Sequence, residues 1–288
     1  MFSRQKTGSV VCSSCGYLVG VKDDKCYNCG RRNPGLWGFG RALRSLGYDM
    51  GFVPFVTGMC VIVYALTLLA SRGQIGFNGL FSFLSPNGQA LVAYGASGSI
   101  PVFDLNRWWT VLSAGYLHGG LLHIFFNMYW IRQLAPTVGE LYGPGRMVII
   151  YTAGSVLGFL FSSFAGALLP GVPIIGGAGL TVGASAAVFA LFGSLVYYGR
   201  RAGSSMIGNQ ARSLALILLL FGFMMPGVDN WAHGGGFIGG YVMSRWLDPL
   251  TTERVDHMAW AVVCLALSVL SVVVSVVHWY WLLATLGP

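Results

Sequence analysis

The stretch GASAAVFALFG, residues 183–193, places a single hydroxyl, on Ser185, in an otherwise apolar run. Its small residues Ala186, Ala190 and Gly193 recur every three or four positions, so they form one stripe along a helix. Stripes of small residues let two helix backbones approach closely inside a membrane. The hydroxyl beside this stripe is therefore either a packing contact or part of a functional site.

The composition of the chain indicates that this run lies in a membrane. Of the 288 residues, 55% are hydrophobic and 9% are charged, whereas ordinary soluble domains are about 25% charged. Apolar windows long enough to cross a hydrocarbon layer of ~30 Å occur seven times, near residues 53–70, 119–137, 147–169, 183–199, 211–226, 231–247 and 258–284. We therefore predict an all-α, multi-pass integral membrane protein.

The positions of Lys and Arg predict the orientation. With seven alternating spans and a cytoplasmic N-terminus, 15 of the 17 basic residues lie on the cytoplasmic side, and Arg72 and Arg107 lie outside. This asymmetry follows the positive-inside rule, so the net charge of +8 is explained by the lipid bilayer, and no nucleic-acid partner is predicted. Residues 1–50 contain eight basic residues and lack the apolar core of a signal peptide, so we expect them in the cytoplasm.

Four cysteines near the N-terminus predict a metal site. They form two CxxC pairs separated by ten residues, and each pair precedes a glycine that can adopt the positive φ of a metal-binding knuckle; the cysteines are Cys12, Cys15, Cys26 and Cys29. Four thiolates suit a closed structural Zn²⁺ site that takes no part in catalysis. Iron in a rubredoxin-like site and disulfides are the alternatives, and a reducing cytoplasm disfavours the disulfides. A zinc ribbon of this size usually maintains a shape or binds a protein partner.

The chain divides into four expected segments: a small cytoplasmic zinc-ribbon-like module at 1–35, a basic amphipathic linker at 36–50, a transmembrane core at 51–250 and an extra C-terminal transmembrane helix at 251–288. The linker and its preceding turn combine arginines with aromatic residues, among them Arg41, Arg44, Trp37 and Phe39. This composition predicts either a segment on the inner leaflet or a solvated tether.

Polar residues recur near the starts of three predicted spans. YLHGGLLHIFFNM places His118, His123 and Asn127 at the second span, and DNWAHGGGFIGGY places His233 at the sixth. Because the second, fourth and sixth spans run in one direction, these groups and Ser185 lie at similar depth and can converge on one cavity. Each residue alone is most simply a packing or hydrogen-bonding group, and their joint occurrence favours a site.

The sixth span also contains two overlapping GxxxG patterns, formed by Gly235, Gly236, Gly239 and Gly240. If this stripe packs on the small stripe of the fourth span, Ser185 and His233 come within hydrogen-bonding reach.

These motifs resemble the rhomboid family of intramembrane serine proteases. The matching segments are HGGLLHIFFN, GAS and AHGGGFIGG, and the similarity covers about residues 50–250. The resemblance implies a rhomboid-like six-helix bundle, with the seventh helix added as in the six-plus-one members of the family. It also implies that Ser185 is the nucleophile and that His233 is its general base.

Five further residues receive roles from the same resemblance. Asn127 and His123 join the backbone N–H of the nucleophile in an oxyanion hole, and His118 lies in the water-access cavity. Phe189 packs on the catalytic imidazole, and Gly183 keeps the approach to the nucleophile open.

The sequence departs from the usual rhomboid pattern at three places. Ala186 follows the serine where glycine is frequent, and Thr110 stands where the family usually has an arginine after Trp, with Arg107 nearby. The family glutamate after the second span is displaced to Glu140. Asp229 lies four residues before His233, but PGVDN is typical of a turn that leads into an N-cap, so we predict a Ser-His dyad without a third acid.

The predicted function is that of an intramembrane serine endopeptidase that cleaves transmembrane helices of membrane-protein substrates. The alternative is a non-catalytic rhomboid-like protein that binds and escorts such helices. We expect a bacterial inner membrane, with a eukaryotic membrane as the alternative, and an active site that opens to the outside.

Overall fold

The computed structural model describes residues 4–13, 15–39, 47–77, 83–172 and 176–286, and these are mostly helical. The α-helices and strands, in chain order within their class, are α1 (Phe52–Ala70), α2 (Gly88–Tyr94), α3 (Thr110–Ser113), α4 (Leu121–Tyr142), α5 (Pro144–Leu168), α6 (Ser185–Arg201), α7 (Ser205–Met224), α8 (Asn230–Trp246), α9 (Val255–Leu286), β1 (Ser9–Val11) and β2 (Leu18–Gly20). Short 3₁₀ turns at Leu36–Gly38 and Ala114–Tyr116 and a π-helical turn at Ile100–Asp104 complete the described elements.

Each predicted span corresponds to a long helix in the described residues. Four of these helices, α1, α5, α7 and α9, are long and apolar enough to cross a membrane. Of the other three, α6 and α8 have 17 residues each and are short for a span, and α4 contains polar residues and glycine that lower its hydropathy. α7 begins at Ser205, six residues before the predicted start, because Ser205, Asn209 and Gln210 make its first six residues less apolar than the rest of the helix.

Helices α6 and α8 pack in parallel through their small stripes, as predicted. A Cβ added to Gly236 would overlap the carbonyl oxygen of Ala186, and one added to Gly240 would overlap that of Ala190. Both contacts join residues that are 50 positions apart, so the two helices stay in register for a full turn. The glycines are required at these positions because the neighbouring atoms are backbone.

The opposite side of α8 packs on α5 in the same manner. A Cβ on Gly239 would lie 3.0 Å from Cα of Gly154, and one on Gly158 would lie 2.6 Å from the carbonyl oxygen of Ala232. α8 is thus enclosed between α5 and α6, and its site residue is held by backbone-to-backbone contacts on both sides.

Two buried arginines attach the extra helix α9 to the bundle. Arg146, at the start of α5, donates to the carbonyl oxygens of Asp248, Thr251 and Thr252 at 3.0, 2.8 and 2.7 Å, which fixes the connection that leads into α9. Near the other end of α9, Arg107 donates to the carbonyl oxygen of Ser275 at 3.0 Å. The sequence indicated neither of these contacts with α9 and the connection before it.

Glu140 and Glu253 differ in their surroundings. Glu140 is exposed on α4, whereas Glu253 accepts a hydrogen bond from the backbone N–H of Arg146 at 2.9 Å. Burial raises the pKa of Glu253, and the nearby Arg146 and Arg31 oppose that shift. Thr110 stands where the family usually has an arginine. Its hydroxyl donates to the carbonyl oxygen of Arg107 at 2.7 Å and so takes part in the packing of this loop.

The N-terminal module is built on the antiparallel hairpin β1–β2, in which Val10 pairs with Val19. Its described surface is apolar in places, with Tyr17, Leu18 and Tyr27 exposed. The structure describes only part of the predicted linker. Trp37 and Phe39 are exposed, and Arg41 and Arg44 lie outside the described residues.

Candidate active site and metal centre

Ser185 is the first residue of α6 and is half-buried. The preceding loop is held by backbone hydrogen bonds, since Gly183 N–H donates to the carbonyl oxygen of Ala114 at 2.9 Å and Ser97 pairs with Thr181 in both directions at 2.7 and 3.0 Å. The first N–H groups of a helix have no acceptor within it and carry its positive dipole end. The hydroxyl therefore lies beside N–H groups suited to a developing anion.

His233 lies in the first turn of α8 and is buried. Its ring stacks on Phe189, with centroids 4.3 Å apart and an interplanar angle of 13°. Long helical side chains lean toward the helix N-terminus, so the Phe189 ring covers the turn that begins with Ser185. His233 thus contacts Phe189, the residue one helical turn after Ser185.

The start of α8 is fixed by Asp229, which is its N-cap as the turn motif indicated. The carboxylate accepts a hydrogen bond from the N–H of Ala232 at 3.0 Å and another from the hydroxyl of Ser162 on α5. Within the described chain, Nδ1 of His233 has no hydrogen-bond partner. Asp229 is thus occupied in holding the helix start. Ser162 was missed in the sequence, where nothing marks it among the serines of α5.

His123 approaches the Ser185 turn from α4. A Cβ added to Gly183, whose φ is +128°, would lie 2.5 Å from Nε2 of His123. The other nitrogen, Nδ1, accepts the N–H of Gly119 at 3.3 Å. Position 183 thus requires glycine for two reasons, its backbone conformation and the imidazole that covers it.

Asn127 and His118 complete the predicted set. Asn127 is buried one turn after His123 and donates through Nδ2 to the His123 carbonyl oxygen at 2.9 Å, which leaves its second amide hydrogen for another acceptor. The His118 ring is buried, with its centroid 5.2 Å from that of His123. The structure therefore joins His118 to His123, His123 to Gly183, and His233 to Phe189 in one region at the starts of α4, α6 and α8.

The four N-terminal cysteines form a second cluster. Their Sγ atoms all lie within 4.8 Å of one another. The pairs Cys12–Cys29 and Cys15–Cys26 are separated by 3.8 and 3.6 Å, close to the ~3.8 Å edge of a tetrahedron with metal–sulfur bonds of ~2.3 Å. The cluster could therefore hold zinc.

Two glycine turns shape this cluster as the CxxC spacing predicts. Gly16 and Gly30 have φ of +76° and +71°, and their N–H groups donate to the carbonyl oxygens of Cys12 and Cys26 at 3.1 and 2.9 Å. The two halves of the cluster thus share one backbone conformation, which suits paired metal-binding knuckles.

Comparison with known proteins identifies the helical core. The family model described as the Rhomboid domain matches residues 105–250, just over half of the chain. The chain belongs to the rhomboid family. Together with the apolar helices, this membership makes it an integral multi-pass membrane protein. The rhomboid match ends at the predicted core boundary, begins after α1 and does not include the cysteine module.

Several curated proteins resemble this rhomboid chain. Rhomboid protease GluP of Bacillus subtilis (strain 168) is 32% identical over 193 residues, which cover 64% of this chain and 35% of that protein. RHOMBOID-like protein 7 of Arabidopsis thaliana is 26% identical over 221 residues, which cover 66% of this chain and 64% of that protein. Inactive RHOMBOID-like protein 8 of the same plant is 25% identical over 174 residues, which cover 58% of this chain and 46% of that protein. The chain therefore spans less than two thirds of the length of these relatives, and the family includes an inactive member.

Proposed function

We propose that this rhomboid protein is an intramembrane serine endopeptidase in which Ser185 is the nucleophile and His233 the general base. The observation that carries the proposal is that two imidazoles lie near the start of α6. His233 stacks on Phe189, one helical turn after Ser185, and His123 lies against Gly183, two residues before Ser185. A buried base and a serine at a helix N-terminus are the elements that acyl transfer requires.

The reaction begins when Oγ of Ser185 attacks the carbonyl carbon of the scissile peptide and His233 accepts the hydroxyl proton. Negative charge then develops on the carbonyl oxygen, where the Asn127 amide, His123 and the N–H of Ser185 stabilise it. The protonated imidazole returns the proton to the departing amine, and a water molecule hydrolyses the acyl-enzyme with the same base. Asp229 already accepts hydrogen bonds from Ala232 and Ser162, which supports a dyad.

The depth of the site supports transmembrane substrates. α6 has 17 residues and is about 25 Å long, shorter than a ~30 Å hydrocarbon layer, and the loop before Ser185 is buried in protein. A peptide bond can reach such a site only where a helix unwinds, so substrates should contain Gly or Pro near the cut. α7 packs mainly on α6 and exposes most of its surface, so we assign lateral entry to α7 and the turn at 225–229.

The experiment that tests the proposal is cleavage of a tagged transmembrane substrate by the purified full chain in detergent or liposomes. We expect a cut inside the substrate's membrane segment, mapped by mass spectrometry, and a lower rate when its Gly and Pro residues near the cut are replaced by Leu. Binding without cleavage across several substrates with helix-breaking residues would instead support the escort function.

Replacement of Gly183 by alanine should lower the cleavage rate by at least about tenfold, because the new Cβ displaces His123 and the backbone conformation is strained. Gly171→Ala is the matched control, since Gly171 also has a positive φ but has nothing within 4 Å of its added Cβ. Comparable cleavage by the two variants would contradict this role of Gly183.

The cysteine cluster is proposed to bind one structural Zn²⁺ through Cys12, Cys15, Cys26 and Cys29. We expect one zinc per chain by elemental analysis, and near-complete loss in Cys26→Ala, because a missing thiolate opens the tetrahedral site. Cys264→Ala, which removes a thiol from α9, should retain the metal. Stoichiometric iron in place of zinc, or full zinc retention by Cys26→Ala, would contradict the assignment.

The remaining proposals concern the surroundings of the protein. We assign the N-terminus to the cytoplasm and the active site to the opposite face on the distribution of Lys and Arg. A bacterial inner membrane stays a prediction, with a eukaryotic membrane as the alternative. The exposed aromatic residues of the N-terminal module, including Tyr17 and Tyr27, are consistent with a protein partner for that module.

A further inference from the structure

A groove of about 310 Å³ opens at the turn between α6 and α7, at the opposite end of α6 from Ser185. Its floor is formed by Gly199 and Gly208, whose backbones touch: a Cβ on Gly199 would lie 2.5 Å from Cα of Gly208. The groove is therefore a distinct feature, because Gly199 lies about 21 Å from Ser185 along the helix axis.

Two arginines line this groove without acidic partners. Arg200 donates to the hydroxyl of Tyr241 at 2.9 Å, and Arg212 donates to Oδ1 of Asn209 at 3.2 Å. The adjacent Arg201 differs, because it forms an ion pair with Asp248 at 2.8 Å. A guanidinium has five N–H donors, so Arg200 and Arg212 retain most of theirs for a ligand, and the charge they present is uncompensated within the described part of the chain.

The start of α7 adds further donors to the same groove. α7 is 20 residues long, and no side chain caps its N-terminus. The N–H of Ser205 donates to the carbonyl oxygen of Gly203 at 3.2 Å, and Ser205, which lines the groove, adds a hydroxyl at the positive end of the helix dipole. A phosphate group matches this combination of planar guanidinium donors and a hydroxyl at a helix start.

The position of the groove favours a lipid head group as the phosphate-containing ligand. α7 is a candidate membrane span that exposes Leu216, Ile217 and Leu220 farther along the helix, and Met206 is exposed in its first turn. The groove thus lies at the polar end of a lipid-facing helix, at the depth of the head groups, where basic pockets attract anionic lipids. We infer that this groove binds the phosphodiester of an anionic phospholipid, with Arg200 and Arg212 as its main ligands. This inference does not depend on the proposed proteolysis.

Binding of phosphatidylglycerol to the delipidated full chain in detergent, measured by native mass spectrometry, tests the inference. We expect the double variant Arg200→Gln/Arg212→Gln to bind at least about tenfold more weakly than wild type. The matched control Arg132→Gln/Arg245→Gln removes the same charge from exposed arginines elsewhere and should bind as wild type does. Asn209→Asp, an exposed substitution that places a carboxylate in the groove, should also weaken binding and does not require either arginine to be removed.

Three outcomes would overturn the inference. Equal losses in the groove and control variants would show a general effect of charge, and unchanged affinity in both the double variant and Asn209→Asp would show that lipid binds elsewhere. Displacement of phosphatidylglycerol by low millimolar inorganic phosphate would make a free anion the ligand. Phosphatidylcholine, which has the same phosphodiester but no net charge, should compete weakly.

Discussion

Ser185→Ala and His233→Ala are each expected to reduce cleavage of a transmembrane substrate by at least about 10⁴-fold, or ~5.5 kcal/mol of transition-state stabilisation. The hydroxyl and the imidazole act as one unit, because the serine is a poor nucleophile until the base removes its proton. The double variant should therefore be no slower than either single variant. The measurement is the initial rate of product formation by purified protein, with the thermal midpoint of each variant recorded.

Matched controls for these variants exist in the same structure. Ser194→Ala removes a buried serine nine residues later on α6, whose hydroxyl donates to the Leu191 carbonyl oxygen at 2.7 Å. His278→Ala removes a histidine that packs on Trp109, away from the described site. Both controls should retain cleavage. Residual activity of Ser185→Ala close to that of Ser194→Ala, in folded protein, would reject the assignment of the nucleophile.

The second large effect is expected on stability. Gly240→Ala places a Cβ on the carbonyl oxygen of Ala190, and backbone cannot rotate away as a side chain can. Overpacking of this kind costs about 1–3 kcal/mol and more where the neighbours are rigid, so we expect a loss of at least about 3 kcal/mol in the free energy of unfolding. The measurement is thermal or denaturant unfolding in detergent micelles.

Gly234→Ala, in the same helix, separates this packing effect from helix propensity. Nothing lies within 4 Å of a Cβ added to Gly234, and alanine favours a helix by up to ~1 kcal/mol over glycine. This control should be neutral or slightly stabilising. If the two variants unfold at the same temperature, α6 and α8 do not pack through the backbone of Ala190.

The sequence determined the long helices and the local motifs of this protein. Apolar windows predicted the seven long helices to within a turn or two, because hydropathy over about 20 residues is a local property. The small stripes around Ala190 and Gly240 predicted the contact between α6 and α8, since helix periodicity assigns each residue to a face. The paired CxxC motifs predicted the compact cysteine cluster for the same reason: the spacing is short and the turns are local.

Only the tertiary structure decided how the elements are held together. Nothing near Arg146 or Arg107 in the sequence indicates that each binds carbonyl oxygens around a helix more than 100 residues away. Glu140, the expected position of the family glutamate, is exposed, whereas Glu253 contacts the start of α5 from a distant loop, which sequence order did not indicate. Buried polar groups must find partners wherever the fold provides them, and those partners depend on the three-dimensional path of the chain. The closeness of His123 to Gly183 and of Asp229 to Ser162 is of the same kind, since each joins helices whose spacing and rotation are set by packing along their whole length.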